Sequence, residues 1–227
     1  MQHRFHIKTQ RQQSQIQLLI GFVALLVTLL SFLISWVTGA YLIVIVLFSI
    51  VLSVIAPFFD TPSLKKSGEL IYHSLLFISE KPKNGVIKIH GGTLFDYVFV
   101  VDQKMNGKQK TNFIIQQYLQ GLLSLIEKSE TEEADNAIIR GTSYIINERT
   151  AKRIGFRVVD TDSIQKLILI YNYFNILITY SIAKGKLSLP KLSDTKTFEA
   201  NMNELINRKE YIQSLNEKLK STIANNV

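Results

Sequence analysis

Residues 16–59 read IQLLIGFVALLVTLLSFLISWVTGAYLIVIVLFSIVLSVIAPFF, a run of 44 residues without Asp, Glu, Lys, Arg or His. A helix that crosses the hydrocarbon core of a bilayer needs about 20 mostly apolar residues. The run is therefore long enough for two spans, which we place at residues 16–36 and 41–58, with Gly39 as the turn residue between them. The pattern predicts an N-terminal two-helix transmembrane hairpin.

Prolines mark the end of the second span. Pro57 and Pro62 disfavour helix continuation, so we expect residues 60–68 to form a linker. A cleaved signal peptide is the alternative interpretation, but its apolar region has about 7–15 residues before a small-residue cleavage site. The first apolar segment here is longer, lacks a clear site of that kind and is followed directly by a second segment, which favours the hairpin.

The charges beside the spans predict the orientation of the hairpin. Residues 1–15 form a basic tail without acidic residues, Lys65 and Lys66 follow the second span, and the loop between the spans has no charge. Cytoplasmic segments next to spans are enriched in Lys and Arg. We therefore expect a multi-pass protein of the plasma (inner) membrane with both termini cytoplasmic.

Composition excludes several classes of function. The 227 residues include no Cys, which rules out disulfides, thiolate metal sites and a cysteine nucleophile. Neither span holds an ionisable residue, and such residues mark ion and proton pathways, so a transporter or channel acting alone is disfavoured. All 18 acidic residues lie beyond residue 59, where they are mixed with most of the 26 basic ones.

Small residues form a stripe on the first span. They recur at intervals of three and four, which places them on one helix face: Gly21, Ala24, Thr28, Ser31 and Ser35. Small side chains let helix backbones approach closely in lipid. The simpler interpretation is that the two helices of the hairpin pack together. The alternative is that the stripe binds a partner membrane protein or a second copy of the chain.

Beyond the hairpin, the sequence predicts an α+β cytoplasmic domain at residues 60–190. Segments rich in β-branched and aromatic residues, with turn signals between them, predict a short antiparallel meander of strands: 70–79, 86–90 and 95–101. Apolar periodicity predicts three or four helices with two further strands: helices at 111–128, at 148–154 behind an Asn147 cap and from 163 onward, strands at 137–146 and 156–159.

Residues 167–183 carry no charge and raise the question of a third span. The segment is shorter than about 20 residues and contains Asn172 and Asn175, and a third span would move a charged segment to the other side of the membrane. We therefore favour a buried core helix, and the third span stays open as the alternative.

A polar helix is predicted at 195–222, within a C-terminal segment at 191–227. An apolar residue recurs every seven positions, which predicts an amphipathic helix: Phe198, Leu205, Ile212 and Leu219. The companion positions are mostly polar, whereas a stable coiled coil needs both sets apolar. The stripe either packs on its own domain or binds a partner helix.

The candidate catalytic residues are His90, Asp96 and Ser143. In that order they could supply a base, a group that orients it and a nucleophile. Gly91 and Gly92 would let the backbone approach a ligand closely. Nothing in the spacing selects these residues, so the simpler interpretation is a turn with a surface histidine.

A basic cluster is the candidate anion site. Arg140 lies on a predicted strand, and Arg149, Lys152 and Arg153 follow on a short helix. Arginine binds phosphate and carboxylate groups in bidentate fashion, although exposed basic residues are usually only solvated. The sequence contains no nucleotide, metal or serine-hydrolase motif. We therefore expect no metal, no cofactor and no nucleic acid partner.

These observations lead to two hypotheses of function. The first is an anchored interaction or scaffold module. The second is a membrane-anchored enzyme that acts on a phosphorylated or lipid-linked substrate, so the sequence leaves open whether the protein is an enzyme. The enzyme predicts that His90, Arg140 and Arg149 converge on one pocket. The scaffold predicts that they are scattered and that the last helix exposes an apolar patch.

Overall fold

The computed structural model describes residues 2–131, 137–143, 145, 146 and 148–224. Helix α1 (Gln10–Thr38) and helix α2 (Tyr41–Ser67) form an antiparallel pair joined by a tight turn. Gly39 has a φ of 69°, in the left-handed region that glycine adopts most readily, and it ends α1 as predicted. With mean hydropathies of 2.7 and 3.0, both helices are long and apolar enough to cross a membrane.

Pro57 and Pro62 lie inside α2, so the predicted helix end and the linker at 60–68 are wrong. Each proline lacks the N–H that would bond the carbonyl four residues earlier. Side-chain amides replace both missing donors: Asn175 Nδ2 donates to the Ser53 carbonyl at 2.9 Å, and Gln17 Nε2 donates to the Phe58 carbonyl at 3.0 Å. Helix α2 continues because its neighbours satisfy the freed carbonyls.

The described residues of the domain form a six-stranded mixed sheet in the order β1-β2-β3-β4-β6-β5. Only the β3–β4 pair is parallel. The strands are β1 (Leu70–Tyr72), β2 (Phe77–Glu80), β3 (Val86–Gly91), β4 (Ile138–Ser143), β5 (Arg157–Val159) and β6 (Lys196–Asn201). The predicted antiparallel meander is present as β1, β2 and β3, but the segment at 70–79 supplies two strands rather than one.

The segment at 95–101 is helix α3 (Leu94–Val100), and its prediction as a strand is wrong. A capping box begins the helix, because the Asp96 carboxylate accepts from the Thr93 backbone N–H at 2.7 Å. The apolar residues of α3 are buried on more than one side. A short and almost continuous apolar run of this kind does not separate a helix from a strand by periodicity.

Helices pack against the sheet. The remaining helices are α4 (Gly107–Thr131), α5 (Glu148–Arg153), α6 (Ser163–Tyr171), α7 (Tyr173–Lys184), α8 (Met202–Asn207) and α9 (Lys209–Ala224). Helix α4 packs on the sheet, where Tyr118 contacts Phe77, and α9 packs on the outer side of α4. Helix α5 begins close to its predicted position, and its predicted cap, Asn147, lies outside the described residues.

The segment at 195–222 is not one helix, which corrects the sequence prediction. It forms β6 inside the sheet, followed by α8 and α9. Phe198 is therefore a strand residue, and Leu205 and Ile212 are fully buried, while Leu219 packs partly buried against the core. The apolar stripe therefore packs in the core of the α+β fold.

The uncharged segment at 167–183 is also divided. Helices α6 and α7 meet at Asn172 with a bend of 69°. The prediction of a buried core helix holds for α7, which buries Ile176 and Ala183, and is wrong for α6, which has no buried residue. The Asn172 side chain bonds the Ile168 carbonyl at 3.0 Å and completes the last turn of α6.

Candidate functional site

A cavity of about 330 Å³ lies at the carboxyl ends of the parallel strands β3 and β4. Helices α4, α5, α6 and α7 form its walls, and Pro57 of α2 forms its edge toward the hairpin. The walls are mostly apolar and include Phe77, Leu122, Ile154 and Phe198. The volume is at the lower end of the range of about 300–1,000 Å³ typical of small-molecule sites.

Two buried polar atoms of the cavity wall have no partner. Asn175 and Thr195 both line the cavity and are 7% and 8% exposed. Within the described part of the chain, Asn175 Oδ1 and Thr195 Oγ1 make no hydrogen bond. Buried polar groups are normally satisfied, and an unsatisfied one costs about 1–3 kcal/mol. The cavity therefore has two positions where a ligand could gain a hydrogen bond.

The orientation of the Asn175 amide is fixed by its contact with α2. The Ser53 carbonyl can only accept a hydrogen bond, so the amide nitrogen faces it at 2.9 Å. The amide oxygen is the atom that remains. An amide oxygen can only accept, so it requires a donor such as a hydroxyl or an N–H group. Thr195 is more permissive, because a hydroxyl can donate or accept.

The cavity carries no formal charge of its own among the described residues. No Lys, Arg, Asp or Glu lines it, and His90 is the one titratable imidazole at its edge. Burial of an unpaired charge in such surroundings is costly. The arrangement suits an uncharged group with an apolar chain, and no Lys or Arg among the described residues lines it to pair with a phosphate.

The structure does not assemble His90, Asp96 and Ser143 into a catalytic triad. His90 and Ser143 line the same cavity, but His90 Nε2 pairs with Glu80 at 2.8 Å. The Ser143 hydroxyl accepts from the backbone N–H of Ile145 at 3.1 Å, which makes it a turn residue. Asp96 does not line the cavity and serves another part of the fold.

Asp96 is a buried anchor for the segment before α1. Its carboxylate accepts from the Tyr72 hydroxyl at 2.7 Å and lies 3.2 Å from His3 Nε2. Burial, followed by the Asp96 charge, raises the pKa of Tyr72. Burial is also the largest cause that lowers the pKa of His6 to about 4, so this imidazole is neutral near pH 7. The N-terminal segment thus packs on α3 through aromatic rings that surround one carboxylate.

Gly91 and Gly92 are needed for packing rather than for a ligand. A Cβ at Gly91 would overlap the Tyr118 hydroxyl, and a Cβ at Gly92 would lie 2.7 Å from Leu76. The close approach predicted from the paired glycines therefore exists, but the chain's own side chains occupy it.

The predicted anion-binding residues lie in two places, with Arg140 on the sheet and the other three on α5. Arg140 and Arg157 both pair with Glu199 across neighbouring strands, and Arg157 bonds it at 2.6 Å. These bonds, led by the one from Arg157, lower the pKa of Glu199 below its ordinary value. On α5, Lys152 pairs with Glu148 at 2.8 Å, and Arg149 and Arg153 are exposed. Arg140 and Arg149 do not line the cavity with His90, so the predicted convergence is absent.

The small-residue stripe of α1 supplies buried positions of the hairpin. Ala24, Ser31 and Ser35 are the buried residues of α1, and Gly21 and Thr28 are half-buried. A Cβ at Gly21 would lie 3.8 Å from Phe59 of α2. This arrangement agrees with the simpler interpretation, in which α1 and α2 pack on each other.

Sequence reasoning missed Asn175 and Thr195 as site residues. Asn175 gives a signal in the sequence, because it is a polar residue in an otherwise apolar segment, but that signal alone does not indicate a binding site. Thr195 carries no such signal, because its position depends on the 3-10 turn that precedes β6. Within the described residues no group of three or more His, Asp or Glu could hold a metal ion.

Comparisons with known proteins give no relative. No protein-family model matches the chain, and no similar curated protein or solved structure is found.

Proposed function

We propose that this protein is a membrane-anchored lipid-binding module. The hairpin spans the plasma membrane with both termini cytoplasmic, and the α+β domain binds one uncharged amphiphile in the cavity beside α2. The observation that carries the proposal is the pair of unpartnered buried atoms, Asn175 Oδ1 and Thr195 Oγ1, in an apolar cavity. The proposal names a ligand class for the anchored interaction role predicted from the sequence.

The chemistry of the wall narrows the class of ligand. An apolar chain would lie against side chains such as Leu122 and Phe156. A hydroxyl or amide N–H near its end would donate to Asn175 Oδ1, which can only accept. Long-chain alcohols, acylglycerols and N-acyl amides have this combination. A phosphorylated substrate is disfavoured, because no Lys or Arg among the described residues lines the cavity.

The location of the cavity supports a lipid source. Pro57 belongs both to the cavity wall and to α2, which is apolar enough to cross a membrane. The same amide that presents its oxygen to the cavity is bonded to Ser53 of α2. A ligand with an apolar chain would thus be bound next to the phase in which it dissolves.

A binding series with three probes of equal chain length tests the proposal. Dodecanol, dodecanoate and dodecane are titrated against the delipidated full chain in detergent micelles, with each probe's partition into the micelles measured separately. We expect the alcohol to bind more tightly than the alkane by about 2- to 10-fold for each hydrogen bond formed. The carboxylate binds more weakly than the alcohol at neutral pH, because its charge finds no cation.

Two variants and a matched control complete the test. Thr195→Val and Asn175→Leu should each weaken the binding of dodecanol and leave that of dodecane nearly unchanged. Thr197→Val is the control, since Thr197 bonds Thr142 and Thr161 and does not line the cavity. Equal affinities for the three probes, or an equal loss in the control variant, would contradict the proposal.

A further inference from the structure

Helix α6 exposes an apolar surface that the α+β domain does not cover. Ile164, Leu167, Ile170 and Tyr171 are 72%, 65%, 61% and 60% exposed, and the helix has no buried residue. Large exposed apolar patches on a protein usually mark a contact with a partner or a membrane. The position of α6 beside α2 indicates which of these two contacts, with a protein partner or with a membrane, applies here.

The carboxyl end of α6 is fixed to the apolar part of α2. The Ser53 hydroxyl donates to the Tyr171 carbonyl at 3.1 Å, and Asn175, just beyond the bend, donates to the Ser53 carbonyl. Ser53 precedes Asp60, the first charged residue after the apolar run, by seven positions. At a rise of 1.5 Å per residue, this contact lies about 10 Å along α2 into the apolar segment.

Residues of α2 close to this contact also expose apolar side chains. Leu52, beside Ser53, is 42% exposed, and Phe48, one turn earlier, is 44% exposed. With α2 in the bilayer, as proposed above, hydrocarbon around α2 at this level would also reach the neighbouring end of α6. A soluble partner at the same place would have to displace that hydrocarbon.

The amino end of α6 carries charged groups and the carboxyl end does not, as expected for a helix that enters a bilayer at its amino end. Asp162 caps the amino end by accepting from the Gln165 backbone N–H at 2.7 Å, and Lys166 is exposed near that end. Both charged groups suit the headgroup region. At the other end, the Tyr171 carbonyl accepts from the Ser53 hydroxyl, and backbone groups in hydrocarbon need an internal partner of this kind.

We propose that α6 lies inside the bilayer as a short inclined helix, with its exposed apolar residues in contact with phospholipid acyl chains. Its nine residues extend about 13 Å, which is too short for a span, so it enters at Asp162 and turns back at Asn172 into α7. The proposal does not depend on what fills the cavity, although Ile168 and Leu169 make α6 a wall between cavity and bilayer.

Depth-dependent quenching tests this placement, because the chain contains no cysteine of its own. Leu167→Cys and Ile170→Cys are labelled with bimane in nanodiscs that hold one copy of the protein and phospholipids with a nitroxide on the acyl chain. Ile45→Cys, 63% exposed on α2, is the positive control. Tyr211→Cys, on α9 away from the hairpin, is the negative control. Exposed positions tolerate such substitutions.

We expect both α6 labels to lose fluorescence to the extent seen at Ile45, and Tyr211 to keep its fluorescence. Quenching at the level of Tyr211, with rapid modification by a membrane-impermeant maleimide, would place α6 in water and overturn the proposal. Protection from the maleimide without quenching by lipid would also overturn it, because a protein partner would then cover the helix. None of these outcomes depends on the binding of dodecanol.

Discussion

The contact between Asn175 and the Ser53 carbonyl yields a sharp prediction, because a proline creates the acceptor. Pro57 has no N–H to donate to this carbonyl, and the Asn175 side chain supplies the donor. In Pro57→Ala, the restored backbone N–H can bond the carbonyl within the helix. The loss in free energy of unfolding on removal of the Asn175 side chain should therefore depend on whether residue 57 is Pro or Ala.

The magnitude follows from the burial of this contact. Ser53 is 3% exposed, so Asn175→Leu leaves its carbonyl without water or protein, which costs about 1–3 kcal/mol. In the Pro57→Ala background the carbonyl keeps a donor, so the same substitution should cost about 1 kcal/mol less. Such a coupling free energy is in the usual range for residues in contact.

A double-mutant cycle measures the coupling through the free energy of unfolding in mixed micelles. Gln17→Leu provides the matched control, since Gln17 serves the carbonyl freed by Pro62. It should couple to Pro62→Ala and be additive with Pro57→Ala. Additive effects of Asn175→Leu and Pro57→Ala would refute the reasoning that Asn175 replaces the missing donor.

The remaining predictions concern the cavity, the buried carboxylate and the titrating groups. Thr195→Val should raise the free energy of unfolding of the empty protein by about 1 kcal/mol, because it removes an unsatisfied hydroxyl. Thr197→Val should lower this free energy, because it removes the hydroxyl that bonds Thr142 and Thr161. Thermal unfolding after delipidation compares the two variants. Asp96→Asn should lower the free energy of unfolding by about 2–4 kcal/mol, because it removes a buried carboxylate that accepts from Tyr72 and Thr93. Asp60→Asn, at an exposed site, should be nearly neutral in the same unfolding measurement. Equal losses in the two variants would contradict the anchoring role of Asp96. His6 and His73 both have a pKa lowered to about 4 in the folded protein, mainly by burial, so stability should fall as the pH drops from about 6.5 toward 4, and His6→Gln or His73→Gln should flatten this part of the pH profile. Glu199 has a lowered pKa, so its contribution is present above the ordinary value of 4.5 and is lost in more acidic solution; acid unfolding of Glu199→Gln should lack this part of the pH dependence.

The sequence predicts features that depend on neighbouring residues along the chain. The hairpin follows from the charge-free run, and Gly39 forms the expected turn. Asn84 and Gly85 both have positive φ at the turn predicted before β3. In each case the decisive property, charge or backbone preference, is local.

The errors arise where a distant contact decides the structure. Residues 196–201 form a strand because β4 and β5 pair with them on both sides, which no local periodicity reveals. Helix α2 passes Pro57 because Asn175 lies 118 positions further on and supplies a donor. The Leu94–Val100 helix is different, since its capping box of Thr93 and Asp96 is visible in the sequence and outweighs the strand-like composition.

The candidate site was the least predictable part. His90, Asp96 and Ser143 are residue types that often act in catalysis, but each is engaged by a different partner. The polar atoms that remain unpartnered, on Asn175 and Thr195, become evident only when every hydrogen bond of the described residues has been assigned. The atoms that are free to bind a ligand in this cavity are the polar atoms without a hydrogen-bond partner, and a sequence does not show which atoms these are.

Photolabelling with a long-chain alcohol that carries a diazirine on its chain tests the central claim most directly. The full chain is reconstituted in nanodiscs, irradiated with the probe and mapped by mass spectrometry. Our account predicts adducts on cavity residues such as Leu119, Leu122 and Leu169, which unlabelled dodecanol suppresses and Thr195→Val reduces. Adducts confined to the exposed apolar residues of α1 and α2, unchanged by competitor or variant, would show that the cavity does not bind an uncharged amphiphile.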